Sequence, residues 1–190
     1  MKIISVTGGI GSGKSVICEV LITLGFQVYN CDERARMLIY TSNTIQRTIS
    51  NQISPAAVTE NGIARKVLAD IVFNNSSLLA KLNKITHSAI REDIVKWKTL
   101  LEQKEKVVFI ETAILYESGL DKLVDEVWQV IAPIEIKLQR LIKYRHFSEQ
   151  EGKKRMKVQN NDIIQGAHVI INDNIQPVLP QIEKLLSELK

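Results

Sequence analysis

The residues with the clearest chemistry lie in one run, Gly8-Gly9-Ile10-Gly11-Ser12-Gly13-Lys14-Ser15. The run satisfies G-x-x-x-x-G-K-[ST], the pattern of a loop that wraps phosphate groups. Glycines let the backbone curl so that consecutive N–H groups point inward and the chain approaches phosphate closely. A helix that starts at such a loop adds the positive end of its dipole. At this spacing Lys14 should reach the β- and γ-phosphates and Ser15 should ligate Mg²⁺. Gly9, Gly11, Ser12, Gly13, Lys14, Ser15 and Val16 are therefore the expected nucleotide contacts, with Ser15 the metal ligand. The competing reading is a glycine-rich turn with an incidental Lys-Ser, and the flanking segments argue against it.

Those flanks must position the loop. Lys2 to Thr7 is short, β-branched and mostly apolar, so it reads as a buried strand. Val16, Val20, Leu21 and Leu24 follow at helical spacing. Gly25 ends that helix, and Phe26 to Asn30 reads as a second strand. Asp32 stands at its carboxyl end, where it is expected to cap the next helix, which carries Ala35, Met37, Leu38 and Ile39. Ligands of open α/β sheets bind at the carboxyl ends of strands, so Asp32 is also expected to face the crevice of the phosphate loop. There it would serve as a catalytic or Mg²⁺-linked carboxylate.

Residues 41–62 are polar, with one short helix near Ile45 to Ile53. A helical stripe follows from Ile63 to Phe73, then a long helix from Ser77 to Gln103. His87 and Arg91 are four apart on it and share a face, unless that face is simply solvated. The block 33–104 reads as helical without a strand pattern, an insertion of the kind that covers a substrate.

Val107 to Glu111 is a third strand, whose last residue could sit near Mg²⁺ or its water, or act as a hydrogen-bonding acid at a strand end. Glu117 lies in the loop after it. The fourth strand spans 125–132, and Pro133 opens the next helix. Arg140, Lys143, Arg145, Lys153, Lys154, Arg155 and Lys157 make the most basic region. Ser148 to Glu151 forms a capping box inside it, so a second helix starts there. Two helices around a basic turn suit a lid that closes on phosphates. With only Tyr144 and Phe147 to stack bases, a nucleic-acid patch is the weaker reading. His168 to Ile171 is a fifth strand, Asn172-Asp173-Asn174 a turn, and Pro177 to Leu189 a last helix.

The chain of 190 residues is 45% apolar, enough for one domain with a sizeable core. It carries 25 Lys and Arg against 21 Asp and Glu, a net charge of +4. That is a mild bias toward anionic partners such as nucleotides, too small to argue for nucleic acid. Cys18 and Cys31 lack metal spacing and read as free thiols of a reducing compartment. No stretch approaches 18 apolar residues, and the amino end does not read as a signal peptide. The expectation is a cytoplasmic protein without membrane, nucleic-acid or obligate protein partners.

Alternating strands and helices give an α/β fold, and with the phosphate loop, the helical insertion and the late basic lid it looks like the P-loop kinase fold. Its mostly parallel five-stranded sheet is flanked by helices, with a helical substrate-binding insertion and a helical lid. One domain is expected, with its core at 1–32, 105–138 and 160–190, the insertion at 33–104 and the lid at 139–159. A switch GTPase would need a guanine-reading N-K-x-D. Asn83-Lys84-Ile85-Thr86 lacks the Asp and lies within a helix, which leaves a small-molecule or nucleotide kinase.

The series of elements resembles the dephospho-coenzyme A kinase family over nearly the whole chain. Val6 to Ser15 is similar to that family's form of the loop, double glycine included. Asn30-Cys31-Asp32 with Ala35-Arg36 resembles its Asp-Ala-Asp…Ala-Arg element, with Asn30 for the first Asp. Arg65, Leu68, Val72-Phe73 and His87-Ser88-Ala89-Ile90-Arg91 resemble its Arg…Leu…Val-Phe and His-Pro-x-Ile elements, with Ser88 for the Pro. Ala113 to Glu117 resembles Pro-Leu-Leu-Phe-Glu, with Ala113 for the Pro. Gln139-Arg140 through Arg145, Arg155 and Gln159 resembles the lid. Val169 to Asn172 resembles the closing Val-Ile-x-Asn, with Ala167 and His168 where acids are usual.

The resemblance implies phosphorylation of the ribose 3′-hydroxyl of dephospho-coenzyme A by ATP with Mg²⁺. It implies Asp32 as base toward that hydroxyl, Lys14 on the phosphates, and Arg140, with Arg145 as second candidate, over the transferring phosphoryl. Arg145 and Asn172 would contact the nucleotide. Thr7, Asp32, Arg65, His87, Arg91 and Glu117 would hold the acceptor. The alternatives are another P-loop nucleoside or nucleotide kinase and a nucleotide-gated binding module.

Overall fold

The structure is a computed structural model that describes residues 1–157 and 162–189. Gln159, counted above with the lid, lies outside the described residues. In chain order the first half holds β1 (Lys2–Thr7), α1 (Lys14–Thr23), β2 (Gln27–Asn30), α2 (Cys31–Thr41), α3 (Asn43–Gln52), β3 (Val58–Thr59), β4 (Gly62–Ile63), α4 (Arg65–Phe73) and α5 (Ser76–Leu101). The second half holds β5 (Val107–Glu111), β6 (Glu126–Ile131), α6 (Ile134–Arg145), α7 (Glu149–Lys157), β7 (His168–Ile171) and α8 (Val178–Glu188). They divide into two compact units, Met1–Tyr29 with Lys104–Lys190, and Asn30–Gln103.

The first unit is built on a five-stranded sheet in the order β2-β5-β1-β6-β7. β1 runs parallel to both β5 and β6, and β6 runs parallel to β7. Parallel strands are covered on both faces and so read as near-continuous apolar runs, as Val108 to Ile110 does here and as Ile3 to Val6 does apart from the buried Ser5. The core collects Ile4, Val6, Phe109, Trp128, Val130 and Ile170 from the sheet, Ile17, Cys18 and Leu21 from α1, and Ile182 from α8. Phe109 sits edge-on to Phe26 at 5.4 Å and tilted against Trp128 at 5.1 Å. The register sets Val6 opposite Glu111, which brings the end of β5 level with the start of the phosphate loop. The capping box opens α7 as expected: Ser148 N–H donates to Glu151 Oε2 at 2.9 Å, and Glu151 N–H donates back to Ser148 Oγ at 3.3 Å.

The second unit is α2 to α5 around Ile45, Ile49, Ala57, Leu68 and Val72. Arg34 on α2 donates to Asp93 Oδ2 on α5 from Nε at 2.9 Å and from Nη2 at 2.6 Å. Two expectations are corrected in this unit. The insertion is not free of strands: β3 and β4 form an antiparallel pair, Val58 opposite Ile63 and Thr59 opposite Gly62. Two-residue strands are too short to show alternation, and Gly62 takes φ 101° there. The cap of α2 is Asn30 rather than Asp32, with Asn30 Oδ1 accepting from Glu33 N–H at 3.0 Å. The helix begins directly at Cys31, so Asp32 falls in its first turn, exposed and outside the cap.

Candidate active site

The phosphate loop bridges β1 and α1, and its glycines are required by geometry. Gly11 has φ 78°, and a Cβ built on it would lie 2.8 Å from the Lys137 carbonyl oxygen. Left-handed strain and a backbone clash together cost about 1–3 kcal/mol. Gly11→Ala should therefore weaken ADP binding by roughly tenfold or more in calorimetry. Wild-type affinity in that variant would show that the loop does not need this conformation.

At the loop's end Lys14 Nζ donates to Gly8 O at 2.8 Å and to Gly9 O at 3.3 Å, which arches the ammonium over the glycines. Ser15 Oγ donates to Glu111 Oε1 at 3.0 Å. The sheet register explains this pair, because Thr112 N–H donates to Val6 O at 3.1 Å and so fixes the end of β5 beside the loop. Cys18, one helical turn after Lys14, lies beneath them. Burial first, and then the Glu111 carboxylate, push its thiol pKa up, so it stays protonated. The Ser12 hydroxyl is buried within the loop without a hydrogen-bond partner among the described residues. A hydroxyl and a carboxylate in contact, beside a phosphate loop, fit Mg²⁺, which takes few protein oxygens and completes its shell with phosphates and waters.

Arg140, expected over the transferring phosphoryl, has both terminal nitrogens on protein acceptors. Nη1 donates to Gly11 O at 3.3 Å and to Ser12 O at 3.0 Å. Nη2 donates to Asn172 O and Asn172 Oδ1, each at 3.0 Å, and to Asn174 Oδ1 at 2.6 Å. Asn172 Nδ2 donates to Ser12 O at 3.1 Å. The structure thus brings Asn172 to the loop, as expected of a nucleotide-site residue, and adds Asn174, which nothing local in the sequence marks.

Arg145, the last residue of α6, is exposed. α6 and α7 enclose a cavity of about 250 Å³ lined by Ile134, Lys137, Lys153, Met156 and Lys157. Lys137 is 7% exposed, and burial pulls its ammonium pKa down. Arg155 lies 4.5 Å over the Phe147 ring and Lys143 5.2 Å from the Tyr144 ring, so each ring between or at the end of the basic helices has a neighbouring cation.

The expected acceptor residues lie in both units. In the first, Thr7 ends β1 with 4% exposure, and Glu117 is exposed in the turn after β5. In the second, Asp32 is on α2, Arg65 begins α4, and His87 and Arg91 are half-buried one turn apart on α5.

A phosphate loop after the first strand of a parallel sheet, with hydroxyl and carboxylate meeting at its mouth, belongs to the P-loop kinases. The family model described as dephospho-CoA kinase matches residues 2–177, and the chain belongs to that family. It is a kinase, a phosphotransferase acting on an alcohol group. The dephospho-CoA kinase of Fusobacterium nucleatum is 36% identical over 97% of this chain and 96% of its own length. That of Porphyromonas gingivalis is 33% identical over 100% of this chain and 95% of its own. The solved dephospho-CoA kinase from Campylobacter jejuni aligns with a TM-score of 0.71 and 29% identity, covering 100% of this chain and 98% of that one. Among the described residues no helix is long and apolar enough to cross a membrane.

Proposed function

We propose that this chain transfers the γ-phosphoryl group of ATP to the ribose 3′-hydroxyl of dephospho-coenzyme A, with Mg²⁺, giving coenzyme A and ADP. The reaction completes coenzyme A synthesis and is assigned to the cytoplasm. The observation that carries this reading is the Ser15–Glu111 contact beside the Lys14 ammonium, in a chain that matches the family from residue 2 to residue 177.

Phosphoryl transfer is mostly positioning and charge neutralisation. The loop N–H groups and Lys14 hold the β- and γ-phosphates. Ser15 and Glu111 would hold Mg²⁺, which when bound would offset the charge of those phosphates. Asp32 accepts or orients the proton of the 3′-hydroxyl, a weak nucleophile on its own. Its exposure and its release from the cap leave the carboxylate available for that role. Arg140, with Arg145 as second candidate, offsets charge on the phosphoryl in flight. Arg65, His87, Arg91, Glu117 and Thr7 hold the acceptor, whose own phosphates call for basic groups. The α6–α7 segment excludes water that would otherwise hydrolyse ATP.

The test is incubation with ATP, Mg²⁺ and dephospho-coenzyme A, with the product read by mass, beside a panel of nucleosides and nucleotides. Coenzyme A should form. Phosphorylation of a panel member instead would replace the acceptor, and ATP binding without any phosphorylated product would point to a binding module.

A further inference from the structure

We infer that Arg140, Asn172 and Asn174 form a clamp that fixes the Ser12–Gly13 peptide for nucleotide binding, with Asn174 as a positioning residue outside the site itself. The inference rests on the kinase reading and concerns how its phosphate loop is held.

The clamp converges on one oxygen. Ser12 O accepts from Arg140 Nη1 at 3.0 Å and from Asn172 Nδ2 at 3.1 Å. Among the described residues no peptide bond is cis. In a trans peptide the C=O and the following N–H point in opposite directions. Two donors on Ser12 O therefore turn the Gly13 N–H away from the clamp. Gly13 is the N-cap of α1, at φ 92°. A loop of glycines can flip such a plane at little cost, and a flipped plane would present a carbonyl to phosphate where a donor is needed.

Arg140 can hold that plane only if its own plane is held. Nη2 does this through three acceptors, Asn172 O, Asn172 Oδ1 and Asn174 Oδ1, the last at 2.6 Å. Asn174 sits at φ 65°, a backbone conformation that asparagine accepts more readily than most residues. That conformation belongs to the 172–174 turn after β7. All of these acceptors are neutral amides. They orient the guanidinium without cancelling its charge, so the loop keeps a cation against its outer face. A carboxylate in their place would orient Arg140 equally well and remove that positive charge from beside the phosphates.

Asn174→Gly is the test, because glycine keeps the left-handed backbone and removes only the side-chain acceptor. Loss of one such bond should weaken ADP binding roughly three- to tenfold in calorimetry and raise KM for ATP alike. KM for the acceptor and the melting temperature should stay at wild-type values. In ¹⁵N-labelled protein the Gly13 amide resonance should move or broaden. Wild-type ADP affinity in Asn174→Gly overturns the clamp. So does a lowered melting temperature with equal losses for both substrates, the mark of a merely structural residue. A wild-type enzyme that binds ADP but leaves dephospho-coenzyme A unmodified would sink the acceptor assignment while leaving the clamp intact.

Discussion

Lys14→Ala should lower kcat/KM on the order of a thousandfold, the scale seen when a preorganised donor is removed from developing charge. The expected cause is local. Lys14 is anchored by Gly8 O and Gly9 O, so its ammonium is already placed where the loop curls. Alanine at the first position of α1 is a good helix former, so the fold should persist. Circular dichroism would check the fold, and steady-state turnover the loss. An alanine variant that turns over normally would detach the phosphate loop from catalysis altogether.

Asp32→Asn should separate binding from chemistry. Asparagine matches aspartate in size and keeps the helix start, whose cap is made by Asn30 and Glu33 rather than by position 32. Stability should therefore change little. What is lost is a carboxylate able to take a proton, and general-base assistance is worth roughly 10²- to 10⁴-fold. Turnover should fall within that range while ADP affinity stays at the wild-type value. Near-normal turnover would remove Asp32 from the reaction and return the search for the base to the remaining carboxylates. A parallel loss of ADP affinity would instead make Asp32 part of the nucleotide site.

The loop was legible because its chemistry is local: four glycines, then a lysine and a serine, in one short run between a β-branched strand and a helix. The five strands were legible for a similar reason, since buried parallel strands are short apolar runs bounded by breakers. What the sequence hides is contact across the chain. Ser15 and Glu111 are 96 positions apart, and only the β1–β5 register makes them neighbours. Arg140 and Asn174 are 34 apart, and a turn asparagine carries no mark of the arginine it faces. The cap of α2 is hidden in the sequence because Asn30 and Asp32 are both good cap types. The choice depends on where the helix starts, and β2 runs into it without a linker. The β3–β4 pair escaped because two residues cannot display a period of two.

Cys18 has a practical consequence. It lies under the phosphate loop at 3% exposure, with a thiol held protonated beside Glu111, and Cys31 is buried as well at 6%. Electrophilic warheads need an accessible thiol, and both of these are buried. Covalent fragment screens that rely on cysteine capture should return no hits from the folded protein. Inhibitors of this kinase will have to gain their affinity by reversible occupation of the anion cradle.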